Sequence, residues 1–184
     1  GWFDWETFAV EVPQRRGDPF VLRSDEGVRG GTTAESLAGL RPVFDKEGSV
    51  TAGNASTLND GASAVLIAEA DFAASQGWEV LATIEDYCTS GVEPARVMSA
   101  PIPAVEMLLQ RNDLNVLDVD VYEHNEAFAS ASCAVAQEVG IPEDRFNLHG
   151  GAVSLGHPLG ASGTRCLITM LGVMRRLDAA SGIV

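Results

Sequence analysis

The stretch NLHGGAVSLGHPLGASGT, running from Asn147 to Thr164, decides how the rest of the chain reads. Gly150, Gly151, Gly156, Gly160 and Gly163 surround one histidine, His157. Glycine lets a backbone approach a ligand closely or take positive φ, at an entropic cost. So many in a short run, with a His-Pro step inside, pack poorly and suit a site. The plainer reading is a tight turn around a hydrogen-bonded histidine; the glycine density favours the site. After Gly163 the pattern turns helical, with Leu167, Met170, Leu171, Met174 and Leu177 at i, i+3, i+4, i+7 spacing. A glycine-rich turn thus feeds a helix N-terminus, where unpaired N–H groups and the dipole favour negative charge.

Working back along the chain, 126–139 reads as a helix rich in Ala and Ser, ended by Gly140. Residues 119–123 read as a strand and 146–148 as a short extended piece. A helix is predicted over 101–111, with Pro101 in its first turn and Ile102, Val105, Leu108 and Leu109 on one face. The apolar runs 62–68 and 79–86 read as strands, with a helix over 71–76 between them. Alternating strands and helices predict an α/β fold, helices layered over a sheet. Residues 1–58 are the least regular, with short extended pieces, turns and a short helix over 33–40; so long an irregular segment is usually functional or attached to something larger. The ending Ser181-Gly182-Ile183-Val184 reads as the opening of a further strand, so a truncated chain is expected.

Composition narrows the function classes. The formal charge of −14, from 12 basic and 26 acidic residues, argues against nucleic acid, whose phosphates call for clustered Lys and Arg. It leaves room for an anionic small ligand held by one or two arginines. Lys46 is the only lysine, which fits a high-salt cytoplasm and a GC-rich genome equally. No apolar run is long enough to cross a bilayer, and no basic-then-apolar leader is seen. Cys88, Cys133 and Cys166 are far apart, with neither zinc nor disulfide spacing, so a reducing cytoplasm and no metal are expected.

Three constellations could carry chemistry. The first is His157 in its glycine frame. The second is Glu123-His124-Asn125-Glu126-Ala127-Phe128 at a strand-to-helix junction, where α/β proteins bind ligands. Taken alone, Asn125 reads better as a helix N-cap. The third is the small, polar run 51–61, either a channel lining or a turn-rich linker. None supplies an obvious nucleophile, since free cysteine is often buried.

Together these residues resemble a known family. NEAF at 125–128, GGA at 150–152, GHPLGASG at 156–163, and GNAS followed by NDGA within 53–62 are similar, in order, to motifs of the thiolases. The resemblance spans essentially the whole chain and matches the C-terminal portion of such an enzyme. It implies a layered α-β-α-β-α architecture, mixed sheets flanked by helices, incomplete at both ends. By that pattern 1–58 is the end of the loop domain, 59–80 the last strand and helix of the first half, and 81–184 most of the second half. It further implies Claisen condensation and thiolysis of acetoacetyl-CoA or a longer 3-ketoacyl-CoA, through an acyl-cysteine whose cysteine lies outside this chain. A second cysteine motif is expected soon after Val184.

The resemblance also implies roles. His157 would activate the nucleophilic cysteine and then help bind the thioester oxygen, and Asn125 would hold a water in the same oxyanion hole. Ser56 and Leu58 would line the pantetheine tunnel; Ala127 and Phe128 would form its far wall, with Met98 a further tunnel residue. Arg29, Ser36, Val43 and Phe44 would surround the coenzyme A nucleotide. No cofactor beyond the coenzyme A thioester is implied, and the complete enzyme would be a cytoplasmic homodimer or homotetramer. His124 departs from the family pattern, where a small residue is common, as do His149, where asparagine is common, and 96–100. Two other readings stay open. One is a non-catalytic thiolase-like chain that binds a partner or coenzyme A. The other, a ketoacyl synthase, fits less well because those enzymes use a different pair of histidines.

Overall fold

The computed structural model describes residues 1–184, divided into two compact units, Gly1–Leu40 and Arg41–Val184. In the first unit, strands β1 (Val10–Val12) and β2 (Phe20–Leu22) pair antiparallel, with Glu11 opposite Val21. Helix α1 (Ala34–Ala38) follows, opened by a reciprocal capping box between Thr33 and Ser36.

The second unit holds the rest. Helix α2 (Ala70–Ser75) is capped by the Glu69 carboxylate. A 3-10 segment, Pro94–Ser99, leads into α3 (Pro101–Arg111), whose bounds are those predicted. Strand β3 (Val121–Tyr122) is followed by α4 (Ala129–Val139), the single-turn α5 (Ala152–Leu155), α6 (Ser162–Leu177) and strand β4 (Gly182–Ile183). As predicted, Gly140 ends α4 in the left-handed conformation, with φ 81°, its N–H bonded to the Ala136 carbonyl.

β3 and β4 pair in parallel, Val121 opposite Gly182 and Tyr122 opposite Ile183. The Asp120 carboxylate fastens the pair by accepting from the N–H groups of Ala180 and Ser181. Helices cover both faces of β3. On one side Tyr122 packs with Leu109, Val119, Val135 and Ile141, drawn mainly from α3 and α4 and the turns beside them. On the other, Val121 packs with Met170 and Val173 of α6. Successive strand residues therefore face opposite helices, as the two-residue period of a strand requires.

Three expectations are corrected. First, 62–68 and 79–86 form no sheet ladder. Their apolar side chains are bare, Leu66 at 77% and Ile84 at 62% exposure. A strand is defined by its hydrogen-bonding partner, and neither run has one within these residues; the mixed sheet reduces here to two strand pairs. Second, α6 is turned relative to its predicted apolar face. Its buried stripe runs through Ser162, Cys166, Thr169, Met170 and Val173, whereas Leu177 is exposed and Leu167, Leu171 and Met174 are half-buried. Polar residues claim the inward positions because they form the site described below. Third, 146–148 contributes only Phe146, bridged to Tyr122.

Leu109→Ala would remove a buried side chain from the α3/α4 core and should cost about 2–5 kcal/mol, with a residual cavity. Urea unfolding of the parent and the variant measures it; a loss under about 0.5 kcal/mol, the range of ordinary surface changes, would mean that this cluster is not the core.

Candidate active site

Strand alternation continues past β3 and places the polar residues. The Glu123 N–H still donates to the Ile183 carbonyl at 2.9 Å, so the extended register persists. Glu123 lies on the α6 side and bonds Arg165, Oε1 to Nη1 at 3.1 Å, with side chains only 2% and 16% exposed. His124 turns to the α4 side, where its Nδ1 lies 2.7 Å from the Ser132 hydroxyl and its ring stacks on Phe146. Asn125 returns to α6, its Oδ1 accepting from Arg165 Nη2 at 3.1 Å. The predicted N-cap role for Asn125 is thereby corrected. α4 begins only after Phe128, and the Asn125 carbonyl accepts from the Ala152 N–H at 2.7 Å, at the start of α5.

Between Asn125 and Phe128 the chain turns through Glu126, a non-glycine residue at φ 59°. The Glu126 carboxylate accepts from the N–H groups of Gly151 and Val153, holding the turn to the opening of α5. Burial nonetheless pushes its pKa up. Gly151 is required beside it, because a Cβ there would overlap the Glu126 side chain.

His157 is fixed from a distant segment. Its N–H donates to the Thr57 carbonyl at 3.0 Å and to Asn59 Oδ1 at 3.1 Å. Thr57 steadies that asparagine, its hydroxyl donating to the same Oδ1 at 2.7 Å. Gly156, at φ 88°, lets the loop pass so close to Asn59 that a Cβ would meet its side chain. The ring Nδ1 lies 2.6 Å from the Ser162 hydroxyl, which in turn donates to the Pro158 carbonyl at 3.1 Å. With the Ser162 proton directed at Pro158, the hydroxyl accepts from Nδ1–H. In that tautomer the Nε2 lone pair is open. Asn125 Nδ2 stands 3.5 Å from both ring nitrogens, beside the imidazole and aimed at neither lone pair. The centre therefore offers one proton acceptor next to one amide donor.

Cys166, in the second turn of α6, is buried as the thiol. Burial pushes its thiol up to about 11, and Glu123 adds to the shift while Arg165 opposes it. Its Sγ instead faces Asn125 Oδ1 at 3.7 Å.

The other predicted residues divide. Ala55 bridges Phe128, the Ser56 N–H donates to the Ala127 carbonyl at 2.9 Å, and Leu58 bridges His157. Ser56, Leu58, Ala127, Phe128, Asn125 and His157 are thus brought to one place. Phe44 joins them through an edge-on contact with Phe128 at 6.1 Å, and Val43 is tied to Val50 in the neighbouring turn. Met98 sits apart on the 3-10 segment, packed beside α3 and α4. Arg29 and Ser36 belong to the first unit, where the Arg29 carbonyl accepts from Thr32 and Ser36 serves the α1 capping box. Sequence reasoning included Glu123 and Asn59 in candidate runs without giving either a task of its own, and gave no role to Arg165 or Ser162. Arg165 did carry a signal: a lone cation in the opening turns of a helix stands against the dipole and calls for a compensating partner.

Comparison with known proteins fits this geometry. The pattern of the thiolase C-terminal domain matches residues 78–184, and that of the thiolase N-terminal domain matches residues 1–71. The chain belongs to the thiolase family. It is 47% identical over 183 residues to an acetyl-CoA acetyltransferase of Cupriavidus necator, which covers all of this chain and 47% of that protein. It is 48% identical over 171 residues to a probable acetyl-CoA acyltransferase of Staphylococcus epidermidis, covering 93% of this chain and 43% of that one. This thiolase chain therefore spans about half the length of the curated relatives it matches. Among solved structures it superposes on the Bacillus anthracis acetyl-CoA acetyltransferase with a TM-score of 0.94 at 38% identity, covering 99% of this chain and 46% of that one. It also superposes on human mitochondrial 3-ketoacyl-CoA thiolase in complex with CoA, with a TM-score of 0.91 at 38% identity, covering 99% and 45%. The layered thiolase fold expected from the motifs is the fold of this chain.

Of the expected departures from the family pattern, His124 and His149 are built into the packing. Burial lowers the pKa of His124; burial, and then the nearby Arg176 charge, lower that of His149. Arg176 Nη1 lies 3.1 Å from His149 Nε2. Both folded-state values are depressed, so the unfolded chain binds these protons more readily. Their stabilising contribution is complete above the ordinary value of about 6.5 and is lost as pH falls below it, through the lower folded-state values. Replacing both with asparagine should therefore narrow the stability gap between parent and variant as urea midpoints are followed from pH 7.5 to 5.5. Carboxylates common to both proteins cancel in that difference. A gap independent of pH would show that the imidazoles titrate alike in folded and unfolded chains.

Proposed function

We propose that this chain is the later portion of an acyl-CoA C-acetyltransferase. The enzyme makes or cleaves acetoacetyl-CoA, or a longer 3-ketoacyl-CoA, by Claisen condensation and thiolysis. The observation that carries the reading is the pairing of an open His157 Nε2 with the Asn125 carboxamide donor. On the family resemblance the nucleophilic cysteine comes from outside these residues; Cys166, beside Asn125, is buried and its thiol is pushed up to about 11.

In thiolysis, His157 Nε2 takes the proton of that cysteine, and the thiolate attacks the keto carbon of the 3-ketoacyl thioester. Negative charge moves to the keto oxygen and, as the carbon–carbon bond gives way, to the thioester oxygen, where the protonated imidazole and a water held by Asn125 donate hydrogen bonds. The bond between the keto carbon and the α-carbon then breaks. A second cysteine, outside these residues on the family resemblance, gives its proton to the α-carbon, so acetyl-CoA leaves and the acyl group stays on sulfur. That cysteine then takes the proton of the coenzyme A thiol as it attacks the acyl-cysteine, and the departing nucleophilic cysteine regains its proton from His157. Condensation is the same path in reverse.

The cluster of Ser56, Leu58, Ala127 and Phe128 beside His157 supports a tunnel wall for pantetheine, with Val43 and Phe44 next along it. Arg29 and Ser36 are assigned to the nucleotide end and Met98 to the acyl side, on the family resemblance. The bare apolar runs 62–68 and 79–86 support burial against the remainder of a longer polypeptide. The division at 58 and 80, a homodimer or homotetramer, a cytoplasmic setting and a place in fatty acid metabolism belong to the same reading. Its support there is the reduced cysteines, the acidic surface and the relatives' chemistry.

The test is made in the complete polypeptide. His157→Ala should abolish both acyl-enzyme formation and thiolysis of acetoacetyl-CoA. Asn125→Ala should lower kcat by about 10²–10³ with little change in coenzyme A affinity. Near-normal thiolysis by the histidine variant would leave the non-catalytic, coenzyme A-binding alternative in place.

A further inference from the structure

Asn125 can donate to the water of an oxyanion hole only if its carboxamide faces one way. The two orientations of an asparagine amide differ merely by exchanging O and NH2, so shape alone does not select between them. The selection here comes from behind. Arg165 Nη2 points at Asn125 Oδ1 at 3.1 Å, and also at the Asn125 carbonyl at 3.5 Å. Guanidinium has five donors and no acceptor. An inverted amide would set NH2 against N–H, so the oxygen is held towards Arg165 and the NH2 towards His157. The Cys166 thiol, on the same side, reinforces that choice.

Arg165 is itself held. Its Nη1 donates to Glu123 Oε1 at 3.1 Å and to Thr169 Oγ1 at 3.3 Å, one helical turn along α6. Glu123 and Asn125 share one side of the strand because they are two residues apart, so one guanidinium spans both.

We propose that Glu123 and Arg165 are positioning residues that orient the Asn125 carboxamide, so that its NH2 is presented beside His157 as the donor that holds the oxyanion-hole water. The proposal rests on the acyl-transfer reading of the site. Neither residue touches the reacting atoms; both act through Asn125. A lysine at 165 would be a weaker substitute, since a single ammonium cannot reproduce the planar fork that meets Glu123 and Asn125 together.

A double-mutant cycle in the complete polypeptide tests this, with thiolysis of acetoacetyl-CoA as the assay. The charge-balanced variant E123Q/R165M removes both charges, so no lone buried ion is left, and methionine offers Asn125 no strong partner. It should lower kcat by about 10- to 100-fold, less than outright loss of the donor, with KM within about twofold of the parent. In the Asn125→Ala background the same pair should change kcat by less than about threefold, because there is no amide left to orient. R165K should recover part of kcat.

If the full loss persists in the Asn125→Ala background, the pair is a structural staple and the proposal falls. Should E123Q/R165M fail to fold, the same cycle run with R165K, which keeps the ion pair, decides in the same way. No turnover by the unaltered complete protein would remove the acyl-transfer reading, and the inference with it. Turnover with multiplicative losses would remove the inference alone.

Discussion

The buried ion pair between Glu123 and Arg165 is the constraint on which the arrangement depends. Two charges with side chains 2% and 16% exposed are tolerated only when each meets the other and further hydrogen bonds. That requirement fixes the end of β3 against the start of α6. It cannot be met if the strand slips by one residue, because Glu123 and Asn125 would then face α4 and His124 would face Arg165. The apolar neighbours agree with the register, Val121 packing on α6 and Tyr122 on the α3/α4 side. Hydrophobic alternation and ion pairing thus select the same register, and consistency of that kind marks a well-specified fold.

A second constraint holds His157. Its backbone is tied to Thr57 and Asn59, nearly a hundred residues earlier, and its ring to Ser162 at the head of α6. The glycine at 156 is a steric condition for that contact. A loop carrying a side chain there could not lie against Asn59. Through Ser162 and Pro158, the local turn also decides which ring nitrogen is open. Three separate segments, 57–59, 123–126 and 156–166, therefore meet at one imidazole and one carboxamide.

The runs 62–68 and 79–86 show the other side of the same physics. Their composition is that of buried strands, yet their apolar side chains stand bare and no ladder forms. Sheet structure is non-local, and a strand without a neighbour keeps only its propensity. The relatives are about twice as long, and a longer polypeptide offers such runs the surface they lack here.

Much was decided by local sequence. Pro101 and the spacing of Ile102, Val105 and Leu109 set the bounds of α3, and Gly140 stopped α4, because helix start and stop signals act within a turn of themselves. The four motifs carried the family, and through that resemblance alone His157 and Asn125 were assigned to one site. Tertiary structure decided the rest. Asn125 on sequence alone favoured a helix cap, a role lost because the chain turns at Glu126 and α4 begins three residues later. The inward face of α6 is polar at Ser162, Arg165 and Thr169, so hydrophobic spacing placed it wrongly. The Glu123 and Asn125 partners of Arg165 lie some forty residues away, and the tautomer of His157 depends on where one hydroxyl proton points. Periodicity reports which way a residue faces within its own element; only the folded chain determines what it meets there.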